Sequence, residues 1–285
     1  MSETISRVAV LGAGTMGHGI AHIAAVAGYS VTLYDIDAGA VERGMAAIRK
    51  NLDEGVTRGK VGADKRDMAL ANLTASTDLA SAVGLADLVI EAAPERMDVK
   101  RQIFADVSRV APPHAILATN TSSLSVTEIA AAAARPERVV GTHFFNPPHL
   151  VKLLEIVRAE QTAPDVVAAV RAAGERMERE IIVVGDTPGF ATSRLGLVLG
   201  LEAIRMVEQG VATAAEIDKA MEAGYRHPMG PLRLTDLVGL DVRLAIAEYL
   251  YKELGGEQYR PPPLLRRMVR AGKLGKKSGE GFYTW

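Results

Sequence analysis

The chain has 285 residues, 48% of them hydrophobic, and a formal net charge of −1 from 33 basic and 34 acidic residues. That length allows one large domain or two ordinary ones, and the balanced charge excludes a protein held on nucleic acid by bulk electrostatics. The absence of cysteine excludes disulfides and thiolate chemistry and fits a reducing, cytoplasmic compartment. We expect no signal peptide, because the N-terminus leads straight into an apolar strand. We expect no membrane span, because the longest apolar helical segment (195–201) is too short.

The first two-thirds of the chain predict short strands that alternate with helices. Apolar, β-branched runs predict strands at 7–11, 31–35, 88–91, 116–119, 139–143, 153–157 and 181–184. Helical patterns lie between most of them, at 16–27, 99–110, 126–134 and 166–179. This alternation is typical of an α/β fold with a doubly wound, mostly parallel sheet that is covered by helices.

One connection departs from this alternation. Roughly fifty residues separate the second and third predicted strands, which is more than a single crossover helix needs. Helical patterns at 42–52 and 64–71 predict a helical hairpin that is inserted there and projects from the sheet.

The pattern changes after the segment 185–189, Gly-Asp-Thr-Pro-Gly, beyond which the chain is helical with breaks at 227–231 and 261–263. The composition shift and the Pro-Gly turn predict a domain boundary, with an α/β domain at 1–187 and an all-helical domain at 188–285. The first helix of the second domain has a small, apolar face that could pack on a helix of a second subunit or within its own domain. This face comprises Gly196, Leu197, Gly200, Leu201 and Ile204.

A glycine-rich turn follows the first predicted strand and opens the first helix, with the sequence Gly12-Ala13-Gly14-Thr15-Met16-Gly17. Gly12 permits the tight turn, Gly14 lets a pyrophosphate approach the backbone, and Gly17 lets the helix pack close to the sheet. The start of the helix, at Thr15 and Met16, offers N–H groups to the anion. The alternative is an ordinary strand-to-helix turn.

Asp35 favours the dinucleotide interpretation. It ends the second predicted strand, 18 residues after Gly17, where a carboxylate would accept a hydrogen bond from the ribose 2′-hydroxyl. The two features together predict a Rossmann-type domain. No arginine closely follows Asp35 to receive a 2′-phosphate, so the sequence predicts NAD rather than NADP. We expect no metal site.

A hydride transfer from an alcohol to NAD needs a base for the hydroxyl proton, and histidine titrates in the right range. The chain has six candidates: His18, His22, His114, His143, His149 and His227. His143 is preferred because it ends an apolar strand at the edge of the sheet where doubly wound folds bind ligands. Glu155 follows 12 residues later and could orient the imidazole. The alternative is a buried, hydrogen-bonded histidine and an unrelated glutamate.

Seven motifs, in chain order, resemble those of L-3-hydroxyacyl-CoA dehydrogenases, and the bacterial 3-hydroxybutyryl-CoA dehydrogenases are the nearest type. They are Asn-Thr-Ser-Ser-Leu at 120–124, Thr-His-Phe-Phe-Asn-Pro at 142–147, Lys-Leu-Leu-Glu at 152–155, Asp-Thr-Pro-Gly-Phe at 186–190, Pro-Met-Gly-Pro at 228–231, Asp-Leu-Val-Gly-Leu-Asp at 236–241 and Gly-Lys-Lys-Ser-Gly-Glu-Gly-Phe-Tyr at 275–283. The motifs extend in order from residue 120 to residue 283 and are highly specific in combination.

The resemblance implies roles for individual residues. His143 would take the proton from the substrate 3-hydroxyl while hydride leaves for the nicotinamide, and Glu155 would orient His143. Ser122 would form a hydrogen bond with the reacting oxygen. Asn146 would help to hold the nicotinamide end next to the substrate.

The resemblance also implies contacts at the periphery of the site. Glu95 and Lys100 match the cofactor-side segment of the family. The helical hairpin would receive part of the CoA, whose phosphates would meet Arg49, Lys50, Arg58 and Lys60. A solvated basic face explains these four residues almost as well. A homodimer through the C-terminal domain is also implied.

One position departs from the family pattern. Ser193 stands where the family commonly has an asparagine, and a serine offers only one hydroxyl on a shorter side chain. We expect Ser193 to contact the substrate at the periphery of the site.

Two other functions remain open. The first is a related NAD-dependent dehydrogenase of a free hydroxy acid, such as a gulonate 3-dehydrogenase that resembles lambda-crystallin. The second is a non-catalytic NAD-binding sensor. The set of Ser122, His143 and Glu155 argues against the second, because a binding protein has no need of a base and its orienting group.

Overall fold

The computed structural model describes residues 5–285. Two compact units make up the chain: the first ends at Asp186, and the second runs from Thr187 to Trp285. Within the described residues, no helix is both long enough and apolar enough to cross a membrane.

The first unit is built on one eight-stranded sheet. Its strands are β1 (Arg7–Leu11), β2 (Ser30–Tyr34), β3 (Leu73–Ser76), β4 (Leu88–Glu91), β5 (Ile116–Thr119), β6 (Val139–Phe144), β7 (Leu153–Arg158) and β8 (Glu180–Gly185). Their order is β3-β2-β1-β4-β5-β6-β7-β8. Every neighbouring pair is parallel except β6 and β7, which are antiparallel. The predicted mostly parallel sheet is therefore confirmed.

Seven α-helices belong to the described part of this unit. They are α1 (Thr15–Val26), α2 (Ala38–Thr57), α3 (Ala63–Ala71), α4 (Leu79–Val83), α5 (Met97–Val110), α6 (Val126–Ala130) and α7 (Pro164–Arg176). Side chains cap the N-termini of several of these helices. The carboxylate of Asp37 accepts a hydrogen bond from the Gly39 amide at 2.9 Å at the start of α2, and Ser125 caps α6. Ile20 of α1 and Leu33 and Ile90 of the sheet are buried in one core.

The inserted helical hairpin is formed by α2 and α3, but it does more than project from the sheet. Ile48 and Leu52 of α2 and Ala69 of α3 are fully buried in the core of the unit. The chain then forms β3, which the sequence did not predict, and β3 pairs with β2 in parallel. Two of the four residues of β3 are exposed, so no apolar run marks this edge strand.

Two predicted boundaries are also wrong. The second strand ends at Tyr34 rather than Asp35, which lies in the turn that follows. Helix α6 ends at Ala130, although the alanine-rich sequence favours continuation to 134. The amides of Ala132 and Ala133 instead bond three residues back, to the carbonyls of Ile129 and Ala130, so tight turns replace the α-helix there.

The second unit contains five α-helices. They are α8 (Thr192–Glu208), α9 (Ala214–Tyr225), α10 (Pro231–Val238), α11 (Leu240–Leu254) and α12 (Pro263–Arg270). Leu197, Leu201 and Ile204 of α8 are fully buried in the core of this unit. The apolar part of the predicted face of α8 therefore packs within the unit, which is the second of the two possibilities that the sequence left open.

The C-terminal glycine-rich motif is held by a buried carboxylate. Asp236 accepts hydrogen bonds from the amides of Phe282 and Tyr283 and from the indole of Trp285, each at 2.9 Å. A Cβ atom at Gly281 would lie 2.2 Å from an oxygen of this carboxylate, so only glycine allows the approach. These contacts give the motif a structural role.

Candidate active site

The glycine-rich turn lies at the carboxyl end of β1, where it brings backbone segments into close contact. Gly12 has a φ of 100°, and a Cβ atom there would lie 2.7 Å from the carbonyl oxygen of Ala92. A Cβ atom at Gly17 would lie 1.6 Å from the carbonyl oxygen of Gly12. A Cβ atom at Gly14 would meet nothing within 4 Å, because Gly14 faces open space at the start of α1. The turn thus leaves room for a phosphate beside the helix N-terminus.

The carboxylate of Asp35 is hydrogen-bonded to this turn. One of its carboxylate oxygens accepts from the Ala13 amide at 2.8 Å, and the other accepts from the Asp37 amide at 3.1 Å. A carboxylate can accept about four hydrogen bonds, so Asp35 retains capacity for a ribose hydroxyl.

A cavity of about 680 Å³ runs along the carboxyl ends of β1, β2 and β4. It is lined by Gly12, Gly14, Thr15, Met16, Asp35 and the segment 92–94, among others. This volume lies in the usual range for small-molecule and cofactor sites. The cradle at Gly14, the helix N-terminus and the half-buried carboxylate together fit an NAD dinucleotide.

His143 and Glu155 face each other across the antiparallel pair β6 and β7. They are direct partners in the register of the two strands, and His143 Nδ1 lies 2.6 Å from Glu155 Oε2. His143 is 6% exposed and Glu155 is fully buried. The ring of Phe145 lies against the imidazole, with the ring centres 4.3 Å apart. The proposed base and its orienting group are therefore brought together.

Lys100 and Glu91 form a buried ion pair at the carboxyl end of β4. Lys100 Nζ lies 2.7 Å from Glu91 Oε1, and both side chains are 1% exposed. Glu91 also accepts from the Ala93 amide and from the Thr119 hydroxyl, each at 2.6 Å. These three donors satisfy the buried carboxylate. Lys100 also lies 3.4 Å from Glu95 Oε2, so it links the two glutamates.

Glu95 connects this pair to the loop after β5. Its Oε1 accepts from the Thr121 hydroxyl at 2.6 Å, from the Ser122 amide at 2.9 Å and from the Ser122 hydroxyl at 3.3 Å. The chain of contacts from Glu91 through Lys100 and Glu95 therefore fixes the position of Ser122.

The other histidines differ from His143 in their surroundings. His22 stacks on His149 with ring centres 5.6 Å apart. Burial, with His149 and His18 nearby, lowers the pKa of His22 to about 4. His114 interacts with Asp87 at 3.2 Å and is partly exposed. Of the six, His143 is the one for which the structure pairs a buried imidazole with a buried carboxylate.

The remaining predicted residues lie on three further elements. Arg49 and Lys50 are exposed on α2, and Arg58 and Lys60 are exposed at its C-terminal end. Arg58 already pairs with Glu54 at 3.2 Å. Asn146 is exposed in the loop between β6 and β7. Ser193 is half-buried in the first turn of α8, in the second unit.

Two family models match this chain. The NAD-binding domain of 3-hydroxyacyl-CoA dehydrogenase matches residues 7–187, and the C-terminal domain of 3-hydroxyacyl-CoA dehydrogenase matches residues 189–285. The chain belongs to the 3-hydroxyacyl-CoA dehydrogenase family. The predicted family, its Rossmann-type fold and its NAD cofactor are thereby confirmed.

Relatives and solved structures are similar to this dehydrogenase over its full length. A 3-hydroxybutyryl-CoA dehydrogenase of Mycobacterium tuberculosis is 47% identical over 100% of both chains. A probable 3-hydroxybutyryl-CoA dehydrogenase of Bacillus subtilis is 45% identical over 99% of this chain and 98% of the relative. The crystal structure of an (S)-3-hydroxybutyryl-CoA dehydrogenase from Ralstonia eutropha has a TM-score of 0.96 at 40% identity, with 99% of each chain covered.

The sequence analysis of this dehydrogenase missed Glu91, Thr119 and Thr121 as parts of the site. A signal was present in two neighbouring strands. Glu91 ends the apolar run Leu-Val-Ile-Glu of β4, and Thr119 ends β5 as its direct partner in the register. Polar residues at the carboxyl ends of adjacent parallel strands are candidates for a ligand site.

Proposed function

We propose that this dehydrogenase interconverts L-3-hydroxyacyl-CoA and 3-oxoacyl-CoA with NAD, and that 3-hydroxybutyryl-CoA is its principal substrate. The observation that carries the proposal is the buried pair of His143 and Glu155, at 2.6 Å, in a chain that matches the family over both of its domains. A base with an orienting carboxylate serves the removal of a hydroxyl proton.

His143 acts as the base in this proposal. With Nδ1–H directed at Glu155, the other ring nitrogen, Nε2, carries the lone pair that takes the proton of the 3-hydroxyl. Bound NAD supplies the acceptor for the hydride that leaves the same carbon, so that two electrons and two hydrogen nuclei leave the substrate in all. The buried carboxylate of Glu155 stabilises the imidazolium that results.

Ser122 contacts the reacting oxygen in the proposed site, and Glu95 orients it. Glu95 accepts hydrogen bonds from both the amide and the hydroxyl of Ser122, which positions the serine. The hydroxyl has a single hydrogen, so it turns from Glu95 when it donates to the reacting oxygen. Lys100 is 1% exposed and bound to two carboxylates. We therefore assign Lys100 an indirect role on the cofactor side, through Glu95. Asn146 holds the nicotinamide end next to the substrate.

The cofactor contacts in this proposal come from the glycine-rich turn. The pyrophosphate would be held beside Gly12 and Gly14, with the amides of Thr15 and Met16 as donors, while Gly17 would contribute by letting α1 pack close to the turn. Asp35 accepts from the adenosine ribose. The openness at Gly14 and the cavity beside it support this assignment.

The helical hairpin is proposed to bind the CoA phosphates through its four exposed basic residues: Arg49, Lys50, Arg58 and Lys60. Remote binding energy of this kind promotes reaction at the acyl group. Full CoA thioesters should therefore have a much higher kcat/KM than their N-acetylcysteamine truncations, and high salt should weaken the binding of CoA. Equal efficiency for full and truncated thioesters would leave the hairpin without this role.

Three further parts complete the proposal, and the first two rest on the family resemblance. Ser193 contacts the substrate at its periphery. The chain forms a homodimer through the helical unit, which exposes apolar side chains such as Leu195, Val211 and Tyr225 at 73%, 59% and 76%. The enzyme works in the cytoplasm, which agrees with the absence of cysteine.

The experiment that tests the function compares acetoacetyl-CoA with free L-gulonate. We expect rapid oxidation of NADH with acetoacetyl-CoA and little reduction of NAD with L-gulonate. The reverse result would favour the related dehydrogenase of a free hydroxy acid. NAD binding without turnover of either compound would favour a sensor.

A further inference from the structure

The loop between β6 and β7, residues 145–152, is held by the side chain of Arg179. Nη1 of the guanidinium donates to the carbonyl of Pro148 at 2.8 Å and to that of Val151 at 3.0 Å. Nε of the same group donates to the carbonyl of Met177 at 2.8 Å. Arg179 itself lies between α7 and β8 and is half-buried. One cation therefore joins the end of α7 to this loop.

The loop has few donors of its own for these carbonyls. Pro147 and Pro148 have no N–H group. The amides of Leu150 and Val151 both donate to the carbonyl of Pro147, each at 3.0 Å. Pro148 is buried, and backbone carbonyls that lie away from water are normally paired. Arg179 thus supplies the donors that the two prolines take from the loop.

The loop also packs on α1. A Cβ atom at Gly19 would lie 2.8 Å from Cδ of Pro148, and the imidazole of His149 stacks on that of His22 with ring centres 5.6 Å apart. Gly19 and His22 follow Thr15 by four and seven residues, so the three positions share one side of the helix. The loop therefore rests on the helix whose first turn is proposed to receive the pyrophosphate.

Asn146 lies between two held positions of this loop. Phe145, which precedes it, packs against the imidazole of His143. Pro148, two residues after it, is bound by Arg179. Asn146 itself is exposed, so packing in the core does not fix its side chain. Release of Pro148 would free Asn146 on one side and leave the glycine-rich turn unchanged.

We propose that Arg179 is a positioning residue for the nicotinamide. By holding the loop against α1, it sets the distance between Asn146 and the pyrophosphate site at the start of that helix. The inference rests on the proposed function, in which Asn146 holds the nicotinamide end next to the substrate. Hydride transfer is sensitive to this distance, because a displacement of about 1 Å can lower a rate by about 100-fold.

The test compares the binding of NAD with that of ADP-ribose, which has the pyrophosphate and both riboses but no nicotinamide. Arg179→Met should weaken the binding of NAD by roughly 2- to 10-fold, as for the loss of one neutral hydrogen bond from Asn146. The binding of ADP-ribose, measured by the same calorimetric titration, should not change. The kcat for 3-hydroxybutyryl-CoA should fall by roughly 10- to 100-fold, because the nicotinamide is displaced. Arg179→Lys, which can still donate to the carbonyls, should recover part of both losses.

Arg176→Met is the matched control. Arg176 also donates to two backbone carbonyls, that of Ala27 at 2.9 Å and that of Gly28 at 2.8 Å, and these belong to the turn between α1 and β2. Its substitution removes the same charge and the same kind of contact, away from Asn146, and should leave the ratio of the two affinities unchanged. Thermal melting checks the fold of each variant, and Arg179→Lys serves the same comparison if Arg179→Met does not fold.

Combination with Asn146→Ala tests whether Arg179 acts through the loop. In the Asn146→Ala background, Arg179→Met should cause little further loss of NAD affinity, because the contact on which it acts is already absent. Independent losses that multiply in the double variant overturn the proposal. So do an equal loss of affinity for NAD and ADP-ribose, or wild-type values in folded Arg179→Met.

The single variant Asn146→Ala separates this inference from the function on which it rests. Weaker NAD binding in Asn146→Ala without any change in Arg179→Met removes the positioning role alone. Wild-type behaviour of Asn146→Ala removes the proposed contact of Asn146 and this inference with it, while turnover of acetoacetyl-CoA still supports the dehydrogenase. Absence of turnover in the wild type removes the function as well.

Discussion

Replacement of Glu155 by glutamine tests the charge of the buried pair without removing its hydrogen bond. The carboxylate of Glu155 lies 2.6 Å from Nδ1 of His143, and the side chain is fully buried. The amide of glutamine has nearly the same shape, and its oxygen can still accept from Nδ1–H. The substitution therefore keeps the imidazole oriented and removes only the negative charge that stabilises the imidazolium.

The size of the effect follows from the two kinds of hydrogen bond. A hydrogen bond to a charged group contributes about 1.5–3 kcal/mol, and a neutral one contributes about 0.5–1.5 kcal/mol. The difference is about 1–2 kcal/mol, and about 1.4 kcal/mol corresponds to a tenfold change in rate. We expect Glu155→Gln to lower kcat for oxidation of 3-hydroxybutyryl-CoA by roughly 5- to 30-fold.

The assay follows NADH absorbance at saturating substrate and NAD, with folding checked by thermal melting. Glu160→Gln is the control, since Glu160 is exposed and undergoes the same chemical change. Glu155→Ala also removes the acceptor and should cost more than Glu155→Gln. A folded Glu155→Gln enzyme with wild-type kcat would refute the argument that the charge supports His143.

Three further predictions concern the other proposed residues. His143→Ala should lower kcat by roughly 10²- to 10⁴-fold, as for a lost general base. Titration of the enzyme with NAD should show little change in affinity, because the phosphates are proposed to lie at β1. Asp35→Ala should narrow the preference for NAD over NADP in kcat/KM, because a carboxylate repels a 2′-phosphate, and a wild type without any preference would contradict this. Ser193→Ala should lower kcat/KM for acetoacetyl-CoA by no more than about tenfold, because it removes only one neutral hydrogen bond. Ser122→Ala should cost more, because Ser122 is proposed to contact the reacting oxygen, and the opposite ranking would make Ser193 the more important contact.

The sequence predicted the fold and the proposed base because both depend on local patterns. Apolar runs and the glycine-rich turn indicate strands and their ligand edge without knowledge of distant contacts. The spacing of His143 and Glu155 suggested a pair, but only the antiparallel register of β6 and β7 makes them direct partners. Register depends on the turn and on both buried faces of the strands. The number of residues between His143 and Glu155 therefore does not determine which residues pair.

The features that the sequence did not reveal depend on long-range packing. β3 has only four residues, and two of them are exposed, so its pairing with β2 rather than its own composition makes it a strand. The charged sequence at the start of α5 favours an exposed Lys100. In the structure, Lys100 is buried against Glu91 at the end of β4.

The direct pairing of His143 with Glu155 has a consequence for changes in chain length. Because side chains alternate along a strand, a one-residue insertion just before Glu155 would turn its carboxylate to the opposite face of the sheet. The sheet could still form, since residues on both faces of β6 and β7 are largely buried and apolar. Residues 147–152 of the connection lie outside that alternation, whereas Phe145 packs against His143 and Asn146 is proposed to hold the nicotinamide end. Natural or engineered variation in loop length there would therefore leave the two proposed catalytic groups in place, although it would alter the contacts with Arg179.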